Sequence, residues 1–202
     1  MIIDMHIHTI YSGDSIIAPE DLIEQAEQLG LDGICVTEHD SYQASQVAAE
    51  FAEGTDLLVL RGIEISTDLG HILVYGIMDD DWKTLGEPKR IAAQELIDYA
   101  RSRGAVAIPA HPFGGARHSI GDDLSSLAGI FAIEGYNGEI EVEDNLRACD
   151  LAEELNLKII GGSDAHRLGE IGRCVTVFER HIETLEQLLD ELGAGRFQAK
   201  YL

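Results

Sequence analysis

Short apolar segments alternate with amphipathic helical segments along the chain, and this alternation constrains the fold more than any other feature. Residues 2–8 and the β-branched segment 33–37 have the length and composition of buried strands. Between them, Pro19 occupies a position favoured at helix starts, and Gly30 ends an apolar pattern of helical spacing. The alternation predicts an α/β fold of parallel β-α-β units covered by helices. A closed barrel and an open sheet both satisfy it.

The same criteria predict the remaining elements. Further strands are expected at 57–66, 71–78, 105–110, 129–137, 158–166 with its exit loop, and 174–178. Helices are expected at 42–53, 88–103, 122–128 and 142–156, followed by a final helix containing Leu185, Leu188, Leu189 and Leu192. The strands at 57–66 and 71–78 are separated by TDLG, which predicts a hairpin. The predicted buried stripe of the 142–156 helix is Leu146, Cys149, Ala152 and Leu155.

Length and composition predict one globular domain spanning residues 1–202. The chain has a mass of 22.0 kDa and is 45% hydrophobic, which is sufficient for a well-packed core. We find neither a signal peptide nor a long apolar run in the sequence, so a cytoplasmic location is expected. Its cysteines are odd in number, widely spaced and set among apolar neighbours, which predicts reduced thiols at Cys35, Cys149 and Cys174.

The charge balance restricts the class of partner. The chain carries 37 acidic and 14 basic side chains, giving a formal net charge of −23. Long nucleic acids and anionic membranes attract basic surfaces, so neither is an expected partner. Bound divalent ions would concentrate positive charge locally, and a small anionic substrate remains compatible with this composition.

The segment DMHIH gives the first indication of a metal site. Side chains alternate between the faces of a strand, so Asp4, His6 and His8 share one face. A solvated strand face typically carries lysine, glutamate or threonine instead. Two imidazoles two residues apart can bind one metal ion, and a carboxylate beside them can orient a ring. We expect Asp4 to act on a histidine in this way.

Ionisable side chains also follow the other predicted strands. Because carboxyl ends of parallel strands meet at one edge, these side chains are expected to converge there. TDLG is short enough to return His71 to the same end of the sheet as the strand before it. Buried charges require partners or a metal ion, so the convergence predicts a metal centre. The additional candidates are His39, Glu64, His71, His111, Asp164 and His166.

These motifs together resemble the signature of the PHP (polymerase and histidinol phosphatase) domain family. The matching segments are DMHIH, TEHD, the glutamate of GIE, AHP and GSDAH, which follow the family's order from residue 4 to about residue 177. The resemblance implies a distorted seven-stranded (β/α)7 barrel of the PHP type. It also implies a site for two to three divalent ions such as Mn, Zn or Fe.

The resemblance further implies which residues bind each ion. The implied sets are His6, His8, Glu64 and Asp164 for the first, Glu64, His71 and His111 for the second, and Asp14, His39 and His166 for the third. Many family members have histidine where this chain has Asp14, and others have aspartate. A carboxylate favours harder ions such as Mn²⁺ at that position. Asp14 also lies in YSGDS, where an ordinary turn residue is the alternative interpretation.

Close divalent ions are suited to phosphoester hydrolysis, so we expect a metal-bridging hydroxide to attack a small phosphomonoester. Nucleotide, sugar and amino-alcohol phosphates are the expected substrates. Asp40 is a candidate proton donor to the leaving oxygen, or alternatively a helix cap. Arg117 and His118 are candidates for contacting the phosphate, because their loop directly follows a predicted ligand. Arg167 and Arg173 are rival phosphate contacts.

Other functions are compatible with the same residues. One is a phosphodiesterase or exonuclease acting on short oligonucleotides, and another is a metal-dependent hydrolase of C–N or C–O bonds. A non-catalytic metal-binding module is disfavoured because every ligand position of the family is occupied. The sequence leaves open the substrate, the native metal, the oligomeric state and the packing of the C-terminal segment GRFQAKYL.

Overall fold

The computed structural model describes residues 1–115 and 118–202. Its strands are β1 Ile2–Ile7, β2 Gly33–Val36, β3 Leu58–Ser66, β4 His71–Tyr75, β5 Val106–Pro109, β6 Ala132–Asn137, β7 Lys158–Gly162, β8 Cys174–Phe178 and β9 Phe197–Tyr201. The α-helices are α1 Pro19–Gln28, α2 Gln46–Phe51, α3 Ala93–Ser102, α4 Val142–Glu154 and α5 Leu185–Ala194. Short 3-10 helices cover Ile10–Ser12, Gln43–Ser45, Asp81–Leu85, Gly121–Ser126 and Leu168–Glu170.

The strands form a curled mixed sheet and a separate pair. The larger sheet has seven strands in the order β5-β4-β3-β2-β1-β8-β9, and β6 pairs with β7. Strands β1, β2 and β3 are parallel, as are β6 and β7, whereas β4, β5, β8 and β9 pair with antiparallel neighbours. The predicted α/β class and the β3–β4 hairpin are confirmed, but the large sheet is mixed and not uniformly parallel.

The β6–β7 pair lies against the end of β1. Asp164 N donates to His6 O over 2.7 Å, and His8 N donates to Ala165 O over 3.2 Å. The segment that follows β7 therefore runs alongside the histidine-bearing end of β1. This contact brings the first and last predicted motifs together.

Alternation along β3 divides its side chains between the apolar core and the polar site. Ile63 and Ile65 pack in the core cluster that contains Leu96 and Ile97 of α3. Glu64, which lies between these two isoleucines, points to the opposite face of the strand. Apolar burial on one face thus fixes the direction of this carboxylate on the other.

Helix α3 is shorter than predicted. The expected helix covered residues 88–103, but α3 begins at Ala93. Lys89 has a left-handed backbone with φ of 66°, and its N–H donates to Ser66 O over 2.8 Å. A left-handed residue cannot continue an α-helix, so residues 88–92 form a loop before α3.

The predicted apolar stripe of α4 is wrong in part. Leu146 is 55% exposed, whereas Asn145, Ala148 and Ala152 are buried. The Asn145 amide donates to Asn137 O over 2.8 Å and accepts from Asn137 N over 3.1 Å. This polar contact with β6 rotates the helix so that asparagine and small alanines face the sheet.

The C-terminal segment packs on the domain. It forms β9, which is antiparallel to β8, and the Phe197 ring lies 5.8 Å from that of Phe178. All three cysteines are free thiols, as predicted, with Cys35 and Cys174 buried and Cys149 half-buried. Within the described residues, we find no helix with the length and apolar character needed to cross a bilayer.

Candidate metal centre

Five buried ionisable side chains converge at the end of the sheet, and we call them the inner cluster: His6, His8, Glu64, His111 and Asp164. Each side chain is at most 1% exposed. His6 Nε2 and His8 Nε2 are 3.0 Å apart. Both nitrogens lie within 3.4 Å of Glu64 Oε2 and within 3.5 Å of Asp164 Oδ1. Four predicted ligands of the first metal therefore present their donor atoms to one point.

The two oxygens of Glu64 face different groups of imidazoles. Oε1 lies 2.9 Å from His71 Nδ1 and 3.0 Å from His111 Nε2. Oε2 lies 2.9 Å from His39 Nδ1, on the side of the first pair of histidines. The structure thus places Glu64 between the predicted first and second ligand sets, as a bridging carboxylate requires.

The remaining predicted ligands lie nearer the solvent, and we call them the rim cluster: Asp14, His39 and His166. Asp14 Oδ2 is 3.1 Å from His39 Nε2 and 3.4 Å from His166 Nε2. The exposed fractions of these side chains are 53%, 21% and 14%, respectively. All predicted ligands of the third metal are therefore adjacent, although more accessible than the inner cluster.

Hydrogen bonds at the opposite ring nitrogens fix the orientation of the two β1 histidines. His6 Nδ1–H donates to Glu134 Oε1 over 2.9 Å, and His8 Nδ1–H donates to Ser12 Oγ over 2.9 Å. The Ser12 hydroxyl donates in turn to Glu38. These contacts leave both Nε2 atoms facing the cluster, the arrangement in which an imidazole binds metal.

The inner cluster is strongly polarised. Burial lowers the pKa of His8, but hydrogen bonds to Asp164 and Glu64 raise it by more, to about 9. Burial likewise opposes the charge on His6, while Asp164, Glu134 and Glu64 raise its pKa well above the ordinary value. Burial raises the pKa of Asp164, but His6 and His8 lower it well below the usual range. Each charge here depends on its neighbours.

The donor atoms fit a divalent metal ion. Within the described residues, Glu64 Oε2 is buried and receives no well-aligned hydrogen bond, although three imidazole nitrogens lie within 3.4 Å. Such an oxygen is costly to bury unless it binds a cation. Among the residues that the structure describes, three groups of donor atoms meet within 4.8 Å, namely His6, His8 and Asp164; His39, Glu64 and His71; and His8, His39 and His166. Imidazole nitrogens with carboxylate oxygens are a typical ligand set for Zn²⁺ or Mn²⁺.

The predicted catalytic residues are placed differently from one another. Asp40 accepts hydrogen bonds from Ser66 N over 2.8 Å and from Ser66 Oγ over 3.1 Å. Its carboxylate therefore holds the end of β3, and the alternative of a helix cap is wrong. A role of Asp40 in proton transfer stays a prediction.

His118 lines the mouth of the site, where its Nε2–H donates to Thr67 O over 2.6 Å. Arg117 lies outside the described residues.

The basic side chains around the mouth differ in their availability to a substrate. Lys89, His118 and Arg167 line the opening, together with Asp14, His39, His71, Glu139 and His166. Arg167 pairs with Glu170 over 3.1 Å while remaining 70% exposed. Arg173 instead binds Glu139 Oε1 over 2.6 Å. Sequence reasoning missed Lys89, because its position in GEPKR lies far from every motif.

The expected role of Asp4 is wrong. Its oxygens accept hydrogen bonds from Ser163 N over 2.8 Å and Gly172 N over 2.9 Å, and its hydrogen bond to His6 is with the backbone N–H and not with the ring. Glu134 orients the His6 ring instead. Burial raises the pKa of Asp4 to about 6 despite the backbone hydrogen bonds that lower it. The signal for Glu134 was a lone acidic residue inside an apolar strand, which requires a partner.

Comparisons with known proteins identify similar sequences and a similar fold. Residues 142–197 match a family model described as PHP-associated. A Thermotoga maritima protein named "Probable histidinol-phosphatase" is 32% identical across 33% of this chain and 31% of its own length. A Caldicellulosiruptor bescii protein named "Probable phosphatase" is 24% identical across 85% of this chain and 82% of its own. These matches together support a PHP-domain protein.

The fold also resembles a solved structure from Bifidobacterium adolescentis. That protein bears the name "putative metal-dependent phosphoesterase" and superimposes with a TM-score of 0.69 at 20% sequence identity. The match covers 83% of this chain and 88% of the other. At this level of identity the similarity concerns the fold.

Proposed function

We propose that this protein is a metal-dependent phosphoesterase that hydrolyses a small phosphomonoester. A nucleotide, sugar or amino-alcohol phosphate is the proposed substrate class. The observation that carries the proposal is the position of Glu64, whose buried Oε1 faces two imidazoles and whose buried Oε2 faces three others, all at 2.9–3.4 Å. Two cations bridged by one carboxylate are a recurrent basis of phosphoester hydrolysis.

The proposed ligand sets follow from the clusters. The inner cluster and His71 would hold two ions, and the rim cluster would hold a third. When bound, such ions supply Lewis-acid stabilisation of the phosphoryl oxygens and an activated water. In this proposal, β1 to β5 of the larger sheet and the β6–β7 pair together form a distorted seven-stranded (β/α)7 barrel, with the site at its open end.

The protein's own contribution to substrate binding lies at the mouth. Lys89, Arg167 and His118 line it, and each can donate to a phosphate oxygen. Lys89 is held there through its backbone, because Ser66 O accepts its N–H and Asp40 binds Ser66. Repulsion from the net charge of −23 disfavours a long polyanion and leaves a small phosphorylated molecule as the better substrate.

Proton transfer to the leaving group is assigned to His118. Its Nε2–H is donated to Thr67 O, so Nδ1 is the atom that exchanges a proton with the substrate. Its ring centroid lies 5.9 Å from that of His71, which places it beside the second proposed metal position. Asp40 is the alternative donor, but both its oxygens already bind Ser66.

The test is phosphate release by Mn²⁺-reconstituted protein from a panel of sugar, amino-alcohol and nucleotide monophosphates. Asp164→Ala removes an inner ligand, and Asp190→Ala makes the same change at an exposed position of α5. We expect release from one substrate class by the wild type and by Asp190→Ala, with loss in Asp164→Ala.

Other outcomes would redirect the assignment. Failure to release phosphate from any monoester, with metal loading verified, would contradict the proposal. Cleavage of short phosphodiesters or of C–N substrates under those conditions would instead establish one of the alternative hydrolases. Equal activity in Asp164→Ala would show that the reaction occurs elsewhere.

A further inference from the structure

Glu134 is the one described carboxylate in β6, and three hydrogen-bond donors converge on it. The side chain is fully buried. Oε1 accepts from His6 Nδ1 over 2.9 Å, while Oε2 accepts from His111 N over 2.9 Å and from Asn137 Nδ2 over 2.8 Å. Glu134 therefore contacts the ring of His6, a predicted ligand of the first metal, and the backbone of His111, a predicted ligand of the second.

Asn137 extends this network to a third predicted ligand. Its amide nitrogen also donates to Asp164 Oδ2 over 3.2 Å, so a single NH₂ group connects two buried carboxylates. Its amide oxygen accepts from Glu139 N over 2.9 Å, and Asn145 binds its backbone from α4. The connecting amide is thus fixed in one orientation.

We propose that Glu134 is a positioning residue that holds the inner cluster ready for metal. It keeps His6 in the tautomer whose Nε2 lone pair faces the cluster, and it sets the separation between His6, His111 and Asp164. This inference rests on the proposed metal centre. It does not depend on which substrate is hydrolysed.

The donor count explains why a carboxylate is required at this position. Three donors share two oxygens, and only an acceptor at both ends satisfies all of them. In Glu134→Gln, an amide oxygen placed at His6 leaves the NH₂ group against two other donors. The reverse orientation presents NH₂ to His6 Nδ1. The imidazole must then hold its lone pair on Nδ1 and its proton on Nε2, so Nε2 no longer has a lone pair for the metal. Either arrangement damages the cluster at almost unchanged volume.

Close packing supports this assignment. A Cβ at Gly162 would lie 2.4 Å from His6 Cβ and 2.7 Å from Glu134 Oε1. Glycine at that position in β7 allows the carboxylate and the imidazole to approach each other. The separation of the two side chains is therefore set by backbone on one side and hydrogen bonds on the other.

The test measures metal binding and does not use turnover. Zn²⁺ affinity is measured by competition with a chromophoric chelator, and Co²⁺ binding by its visible absorption spectrum. Glu191→Gln is the matched control, because Glu191 is also buried but binds Arg196 and belongs to neither cluster. Asn137→Ala leaves Glu134 in place but removes the amide that connects it to Asp164, together with the contact of that amide with Glu139 N. Circular dichroism of the metal-free proteins checks that each variant folds.

We expect Glu134→Gln to weaken the tightest Zn²⁺ binding about 10–100-fold and to change the Co²⁺ spectrum. A smaller loss is expected for Asn137→Ala, with the wild-type affinity and spectrum in Glu191→Gln. Folded Glu134→Gln with wild-type affinity and spectrum would overturn the inference. If that variant does not fold, Asn137→Ala decides, and wild-type affinity there overturns it equally. A wild-type protein that binds no Zn²⁺ would instead refute the proposed metal centre.

Discussion

The inner cluster and the rim cluster contain the same kinds of side chain, yet their surroundings differ. Inner side chains are at most 1% exposed, whereas Asp14 in the rim cluster is 53% exposed. His6 and His8 each have a fixed partner at Nδ1, supplied by Glu134 and Ser12. Burial makes every unpaired charge costly, so the inner geometry is tightly specified, while water can replace a missing contact at the rim.

The pKa shifts of the histidines do not simply follow the cluster boundary: burial lowers the pKa of His39 in the rim cluster, but Glu64 raises it by more. Carboxylates outweigh burial at His6 and His8, raising the pKa of both imidazoles. For His166 in the rim cluster, burial and the charge of His8 lower the pKa instead. His39 connects the clusters, since Nδ1 faces Glu64 and Nε2 faces Asp14. Similar types of ligand side chain therefore do not give the inner cluster and the rim cluster the same electrostatic properties.

Glu64→Gln should give the largest effect, because it removes the charge shared by the first and second metal positions. Loss of a residue that only orients a metal ligand lowers the metal affinity by up to ~100-fold. We expect a larger loss here, because Glu64 is itself a proposed ligand. Metal-dependent hydrolysis should be lost as well. Chelator competition measures the affinity, with Glu191→Gln as a buried control. Two tightly bound ions in Glu64→Gln would contradict the bridging role.

Metal removal should destabilise the protein, because the inner cluster then retains its buried carboxylates without a metal ion. An ion present at about 100 times its Kd stabilises the fold by ~2.7 kcal/mol, which corresponds to a Tm shift of roughly 5–10 °C for a chain of this size. Thermal unfolding with and without a chelator measures this. An unchanged Tm would argue against an inner ion under the conditions used.

Substitution of Asp14 should test the rim separately. Asp14→Ala should remove one weakly held ion while leaving the inner ions in place, and Asp14→His should restore binding with a preference shifted from Mn²⁺ towards Zn²⁺. Metal analysis after desalting, with each ion supplied in turn, gives the stoichiometries. Loss of all ions in Asp14→Ala would show that the two clusters bind metal as one unit.

Lys89→Met should give the smallest effect. An exposed cation contributes up to about 1 kcal/mol, so KM should rise by about 2–5-fold with kcat unchanged, and less at high salt. Lys83→Met is the matched control, because Lys83 pairs with Asp80 outside the mouth. Equal kinetics in the two variants would exclude Lys89 from substrate binding.

Strand positions and the candidate ligands could be predicted from the sequence, because both depend on local periodicity. Alternation in β1 placed His6 and His8 on one face, and the hairpin after β3 returned His71 to Glu64. The strand-end rule then brought His111 and Asp164 to the same edge. These inferences need no knowledge of which elements pack together.

The surroundings of those ligands depend on tertiary contacts. Glu134 is 128 residues from His6 in sequence, and its role exists only because β6 packs beside the end of β1. The orientation of α4 likewise depends on Asn145 binding Asn137, which outweighs the exposure of Leu146. No periodicity encodes such pairings.

By itself, the sequence determined the alternation of elements, the family resemblance and the residues that converge at the strand ends. Only the tertiary structure decided that Asp4 binds backbone, that Asp40 holds Ser66 and that the C-terminal segment forms β9. The physical reason is that side-chain direction along a strand is local, whereas the partner of a buried polar group is whichever donor or acceptor the packed chain brings to it.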